Sequence, residues 1–541
     1  MASKLLEVPA EILACIADGL EIEHYSNLRL ASRQMDEYTF PHFAKKFFSR
    51  RKFFRNHLSL SALLAISESR LGPYLETLVL GTELLEVNVP SEAPRVSRER
   101  YAKAFADQTS MVGSGWDRDT LAGALRSLPG LKGVSVESFD DREVWDFDSN
   151  VPISVIDGGY GLKTLLRDLG YEDGRPPSQA STILQWVAAV QILLGTVAMV
   201  GARPKALTIT GKMNNGGYMS SDGLGVDDDA FNIPSFMEET MLPVIEGLEE
   251  LDLEVHNRVI YPVPDDPACC RTCHLRRFLG LPKNLQKLRI ARLTGDMQPL
   301  TNTEEKDGFW AWMASSAKGK GKAISSGSTD EAEDDDEDSD ASQTHQWNMT
   351  PISATNPLTS PPPISLPHLR ELHLAEQDIL PRNLTKLLKK VAPTLVKLDL
   401  HDILLRDRRA GADEDPAPED NNDDDDGGTV LERVECGRWI ALCEQLAAMP
   451  IDELREVNIS GFGGLGSWHC SHFGDGTAPG AVYFRALKIV GEDCYDAKAE
   501  FSYKGPDVRG ALGLLVADLR AALRDGRHVF VSEPGKRRSS F

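Results

Sequence analysis

Three stretches carry residues whose type and spacing could do chemistry. Cys269-Cys270-x-x-Cys273-His274 gathers soft ligands. Its last five residues spell the string to which c-type haem is attached, a reaction that needs an export route. The N-terminal MASKLLEVPAEIL offers no apolar core of signal-peptide length before charges intervene, so we expect an intracellular chain, cytoplasmic or nuclear. A zinc ion could take Cys269 or Cys270, Cys273 and His274, but no second Cys/His pair follows at finger spacing. His469, Cys470 and His472 are the distant candidates. We read the cluster as reduced thiols in a loop. Gly461-x-Gly463-Gly464-x-Gly466 spells GxGxxG, yet the Ser467–His472 stretch behind it has no helical apolar period. A dinucleotide site needs a helix to open there, so we read a glycine-rich loop. The run Phe47-Phe48-Ser49-Arg50-Arg51-Lys52-Phe53-Phe54-Arg55 could stack on bases and neutralise phosphates. We read its phenylalanines as packing a joint and its basic side chains as solvated. No Gly-x-Ser-x-Gly, GxxxxGK[ST] or His-Glu-x-x-His occurs. The expectation is therefore no catalytic residue, no cofactor, no metal and no enzyme activity.

Composition narrows the class further. Among 541 residues, 59 Lys and Arg face 82 Asp and Glu, a net charge of −23. Residues 330–340 hold nine acids and 413–426 hold nine more, so 18 of the 23 net negative charges sit in two short runs. The remainder is nearly balanced, which argues against a duplex nucleic-acid binder. Ser328 and Ser339 flank the first acid run and are candidates for phosphorylation. Lys318, Lys320 and Lys322, with Lys536-Arg537-Arg538, are short basic runs of the nuclear-import kind. Eight cysteines are too sparse for a secreted disulfide framework. Ile183–Val200 has no charge over eighteen residues, but it carries Gln185 and Gln191 and lacks a polybasic flank. We read it as a buried helix and expect no membrane partner.

The elements that must position these residues repeat. Leu-x-x-Leu-x-Leu or a close variant occurs at Leu75-Leu78-Leu80, Leu131-Val134-Val136, Leu248-Leu251-Leu253 and Leu285-Leu288-Ile290. It returns at Leu369-Leu372-Leu374, Leu395-Leu398-Leu400, Leu454-Val457-Ile459 and Phe484-Leu487-Ile489, with a partial copy at Leu207-Ile209. The last two positions alternate as in a half-buried strand. Between them, Leu384, Leu387, Leu388 and Val391 recur at helical spacing, as do Ile440, Cys443, Leu446 and Ala447. Val508, Leu512, Leu515, Val516, Leu519 and Leu523 predict a last helix, and His528–Val531 a last strand. This is the strand-and-helix pattern of an irregular leucine-rich repeat, an α/β solenoid with parallel strands on the concave face and helices on the convex one. Two low-complexity inserts, 314–365 and 409–429, lack apolar periodicity and are expected to be disordered. The organisation expected is 1–50, 51–313, the insert, and 366–541.

Residues 1–50 predict three short helices. Pro9 opens the first, with Ile12, Leu13 and Ile16 on one apolar face and Asp18-Gly19 ending it. The second is expected over Tyr25–Met35, and Asp36 would cap a third that Pro41 interrupts. Val8-Pro9-x-Glu11-Ile12-Leu13-x-x-Ile16, then Leu28-Arg29-Leu30-Ala31-Ser32-Arg33, resembles the F-box. Val8 stands where that family has Leu and Ala31 where it has Val. The resemblance covers about residues 5–48, and Phe47–Phe54 with Leu58–Leu71 resembles the joint that follows in filamentous-fungal F-box proteins. It implies docking onto the Skp-type adaptor of a cullin–RING ubiquitin ligase through Val8, Pro9, Ile12, Leu13, Ile16, Leu28 and Leu30. The repeats would then recruit a protein substrate. The rival reading is a leucine-rich scaffold outside any ligase, whose first helices only cap the repeats.

Overall fold

The computed structural model of the chain describes residues 8–82, 84–85, 95–137, 183–210, 226–256, 273–293, 308–315, 361–401, 403–405, 427–460, 482–485 and 500–525. They form a mixed α/β structure around one eleven-stranded, mostly parallel sheet. The parallel strands are β1 (Arg50–Phe53), β2 (Thr77–Gly81), β3 (Gly133–Glu137), β4 (Ala206–Thr210), β5 (Glu250–His256) and β6 (Lys287–Leu293). They continue with β7 (Glu371–Ala375), β9 (Lys397–His401) and β11 (Glu456–Ser460). Two-residue strands β8 (Asp378–Ile379) and β10 (Leu404–Leu405) pair with each other beside the main sheet. Strands β12 (Val482–Arg485) and β13 (Glu500–Lys504) complete the sheet.

Among the main-sheet strands, spatial order follows chain order from β1 to β11, with β8 and β10 set aside as their own pair. The register explains the leucine pattern. Leu78, Val134, Leu207, Leu251, Leu288, Leu372, Leu398 and Val457 lie directly opposite one another in successive strands. Leu80, Val136, Ile209, Leu253, Ile290, Leu374, Leu400 and Ile459 form a second such row. All are buried, because a period of two sends both positions to the same face. A backbone device repeats in step. The carbonyls of Ser49, Glu76, Lys132, Lys205, Glu249, Gln286, Arg370 and Val396 each accept two N–H groups from the start of the next strand, at 2.6–3.2 Å.

Helices cover the leucine face. Pro381–Val391 buries Leu384, Leu387, Leu388 and Val391, as its spacing predicts. Gly427–Ala447 buries Ile440, Cys443 and Leu446, and Val508–Asp525 buries Val508, Leu512, Leu515, Val516 and Leu519. The uncharged stretch Ile183–Val200 is one helix with Trp186, Val190, Leu193 and Val197 in the core. Gln191 Nε2 on it donates to the carbonyls of Ala230 (2.9 Å) and Asn232 (2.8 Å). No helix among the described residues is long and apolar enough to cross a membrane.

Several expectations need correction. The N-terminal helices run Ala10–Asp18, Ile22–Leu30 and Arg33–Phe48, so Met35 belongs to the third helix. Ser32, not Asp36, caps that helix, accepting the Met35 N–H at 3.1 Å. Pro41 lies within it without ending it. Arg51, Lys52 and Arg55 are buried rather than solvated. Pairing with β2 places Arg51 opposite Leu78, on the core side, where its guanidinium lies over the Phe48 ring. Phe484 sits in a strand, but β12 and β13 run antiparallel, with β13 inserted between β11 and β12. The described residues resume at Pro361, before the expected end of the first insert at 365. Ile364 is buried, and Trp312 Nε1 donates to the carbonyls of Pro361 and Pro362 at 3.0 Å each. The expected strand His528–Val531, most of the two inserts, Leu487, Ile489 and both basic runs lie outside the described residues.

Candidate functional site

The first three helices carry the candidate partner site. Helices Ile22–Leu30 and Ala10–Asp18 both pack on Arg33–Phe48. Their shared core is small: Ala17, Tyr25, Phe43 and Phe47, with Leu20, Ile22, Leu28 and Phe48 against it. Tyr25 meets the Phe47 ring edge-on at 5.7 Å, and its hydroxyl donates to the Thr39 carbonyl at 3.2 Å. Burial raises the Tyr25 pKa, against the nearby Arg29 charge. His42 bridges the helices through Asp18 Oδ1 at 3.1 Å and the Tyr25 hydroxyl at 3.0 Å.

The seven residues expected to meet an adaptor divide into two groups. Leu13 is buried and Leu28 packs against the small core, so both hold the module together. Ile12 and Ile16 are 51% and 52% exposed and Leu30 is 84% exposed. Ile12 and Ile16 are one turn apart on the same helix face. Pro9 is exposed and Val8 half-buried at the start of that helix. Large apolar side chains held in water at this spacing are what a partner surface requires.

The module is fixed to the sheet. Only Ser49 separates the third helix from β1. Arg70 donates to Asp36 Oδ2 at 2.5 Å while Arg29 Nε donates to Asp36 Oδ1 at 2.8 Å. Burial would raise the Asp36 pKa, but these two arginines outweigh it and hold the carboxyl below its ordinary value. Phe40 meets Tyr74 edge-on at 5.7 Å.

The sheet face opposite the leucines is the second candidate surface. Around β1–β3 it is closed: Lys52, Val79, Ser135 and Glu137 are buried. From β5 onward it opens as ordered rows of charge. Glu250, Lys287, Glu371, Lys397, Glu456 and Lys504 face one another across successive strands, alternating in sign. Lys397 reaches Glu456 at 2.5 Å, Lys504 reaches it at 3.5 Å, and Lys287 lies 3.8 Å from Glu371. In the next row Arg289 bridges Asp252 (2.8 Å) and Glu254 (3.1 Å), and His373 Nδ1 meets Asp399 at 2.8 Å. Burial pushes Asp399 and Glu456 up, but His373 and Lys397, respectively, lead the interactions that hold both below the ordinary carboxylate range. Sequence reading missed these rows. Their signal is the residue before each strand leucine, which reads Glu, Lys, Glu, Lys, Glu once the strands are aligned.

The other chemistry-bearing stretches lie mostly outside the described residues. Cys269, Cys270, the GxGxxG loop, His469, Cys470, His472, Ser328 and Ser339 lie outside the described residues. Cys273 opens the helix Cys273–Leu279, and burial lowers the pKa of His274 beside it. No group of three or more His, Cys, Asp or Glu among the described residues could hold a metal. No family model matches the chain, and no curated protein matches it.

Proposed function

We propose that the chain is the substrate-recognition subunit of an SCF-type ubiquitin ligase, with an F-box at its N-terminus and a leucine-rich-repeat solenoid behind it. The observation that carries this reading is that Ile12 and Ile16, one turn apart on the first helix, and Leu30 at the end of the second stay exposed, while other residues form the module's small core. The family's motif residues divide here into two that hold the module and others left to meet a Skp-type adaptor. The repeat assignment is supported by the in-register leucine rows. It is supported also by Leu369-x-x-Leu372-x-Leu374-x-x-Gln377-x-Ile379, where Gln377 is buried and donates to the Ala375 carbonyl at 2.8 Å. The adaptor brings a cullin, and the open polar sheet face takes the protein substrate. The chain then breaks no bond itself; it raises the effective concentration of a substrate lysine near charged ubiquitin. Its place of action is the cytoplasm, the nucleus or both.

The second reading, a leucine-rich scaffold capped by its first helices, is favoured by the Asp36–Arg70 and Phe40–Tyr74 contacts that seat the module on the sheet. Co-purification with a Skp-type adaptor separates the two. The full chain should retain the adaptor, and Ile12→Asp with Ile16→Asp should lose it while unfolding at an unchanged temperature. A chain that is well folded but never retains adaptor would leave the scaffold.

A further inference from the structure

Helix Pro381–Val391 turns Leu384, Leu387, Leu388 and Val391 into the core and leaves Arg382, Lys386 and Lys389 exposed. Spacings of four and three residues set the three cations in one stripe, about 10 Å long. On other covering helices, Arg277 pairs with Glu238, Arg509 with Asp452 and Arg520 with Glu444. Arg382, Lys386 and Lys389 make no hydrogen bond or ion pair among the described residues. The helices packed on either side do not supply one. Gly308–Ala314 reads GFWAWMA and carries no charge. Gly427–Ala447 has one acid among its described side chains, Glu444, and Arg520 holds it. Like charges one turn apart oppose each other, so the stripe favours an anion laid along it.

The chain carries such an anion close by. Lys390, next to Lys389, donates to the carbonyls of Met313 (2.8 Å) and Ser315 (2.6 Å). Trp312 Nε1 donates to those of Pro361 and Pro362. Segment 316–360 therefore leaves and rejoins the described residues beside the C-terminal end of the basic helix. Its run 330–340 holds nine acids and no base. Asp330 follows Ser315 by 15 residues, a length of chain that reaches up to about 50 Å. Arg382 lies only about 12 Å along the helix from Lys390. The tether makes the encounter intramolecular, which raises the effective concentration of the run at the stripe. The second acid run, 413–426, joins the described residues farther off. It ends where helix Gly427–Ala447 begins, about 27 Å along that helix from Gln445, the residue that meets Thr385.

We propose that the acidic run 330–340 docks on the stripe of Arg382, Lys386 and Lys389 in its own chain and serves as its counter-charge. An anionic partner of this helix face must then displace the run before it binds. The assignment does not rest on the ligase reading.

The test uses the full chain at low protein concentration. Carbodiimide joins a carboxylate to an amine only where the two touch. At about 50 mM salt it should link acids of 330–340 to Lys386 and Lys389 within one chain, and at about 0.5 M salt the links should vanish. Peptide mapping of the monomer band reads both. A second measurement needs no cross-link: the rate at which acetic anhydride modifies each lysine. With every acid of 330–340 changed to its amide, Asp→Asn and Glu→Gln, Lys386 and Lys389 should react about threefold faster. Exposed Lys103, on helix Arg95–Ser114 between β2 and β3, should keep its rate. No link at low salt, links that come from 413–426 or from a second chain, or unchanged rates at both lysines would overturn the assignment.

Discussion

Arg55 and Asp117 are 62 positions apart in sequence, yet Arg55 Nε and Nη2 both donate to Asp117 Oδ2, at 3.2 and 2.8 Å. The side chains are only 6% and 3% exposed, so the pair joins the segment after β1 to the first turn of helix Trp116–Arg126 inside the protein. Removing one partner leaves the other charge buried and unpaired. Asp117→Ala should cost about 3–5 kcal/mol, whereas Arg55→Met with Asp117→Leu should cost far less. Urea midpoints of the three proteins decide it; equal losses for single and double variants would show that the cost is packing, not charge.

The N-terminal motif residues should respond to truncation according to their side of the module. Leu13→Ala should destabilise by about 2–4 kcal/mol because it empties a buried site. Ile16→Ala should stay within about 0.5 kcal/mol, its side chain being half in water. Thermal unfolding followed by amide exchange in the first three helices measures both. A large loss at Ile16 would mean that this face is already covered within the chain.

Asp228 gives a pH signature. Burial raises its pKa to about 7, although its carboxylate accepts the N–H groups of Leu275 (2.8 Å) and His274 (3.2 Å). An unfolded aspartate titrates near 3.9. The folded state therefore holds this proton more tightly, and the stability from it is complete below about pH 4 and lost as pH rises through about 7. Compared with Asp228→Asn, the natural protein should lose melting temperature between pH 5 and pH 8. Parallel pH profiles for the two proteins would refute the assignment. Asp399 and Glu456, whose pKa values are lowered, act in the opposite sense and in a more acidic window.

The first acidic insert should be removable. Trp312 and Lys390 fix both of its ends: the indole binds Pro361 and Pro362, and Lys390 Nζ donates to the carbonyls of Met313 (2.8 Å) and Ser315 (2.6 Å). Burial lowers the Lys390 pKa to about 8. Joining Ser315 to Pro361 through a short glycine-serine linker should leave cooperative unfolding intact. Trp312→Phe, which removes the indole donor, should cost about 1 kcal/mol. Failure of the deleted chain to fold would show that the insert itself contributes to the core.

The parallel strands were legible because each strand needs two inward residues at period two and the chain supplies leucine, valine or isoleucine there. Strand β13 was not, since its inward residues are Phe501 and Tyr503 and it runs against its neighbours. Strand β1 hid for another reason: Arg51 and Lys52 read as surface residues until pairing with Leu78 and Val79 buries them. At the candidate site the motif located the helix but not its outer side. Ile12 and Leu13 are equally apolar neighbours, and only the packing of three helices decides that Leu13 turns inward. The charged rows escaped notice because alternation between strands is invisible until their register is known.

The chain-order sheet has a mechanical meaning. Among the described residues, each main-sheet strand from β2 to β9 bonds to the strands before and after it and to no other, so this sheet has two ends and no centre. In such a row a defect weakens its neighbours and fades with distance. Trp186, Trp310 and Trp439, all buried, sit at successive stations along it. They are three separate thermometers, and a perturbation at one end should be felt by the nearest tryptophan before the farthest.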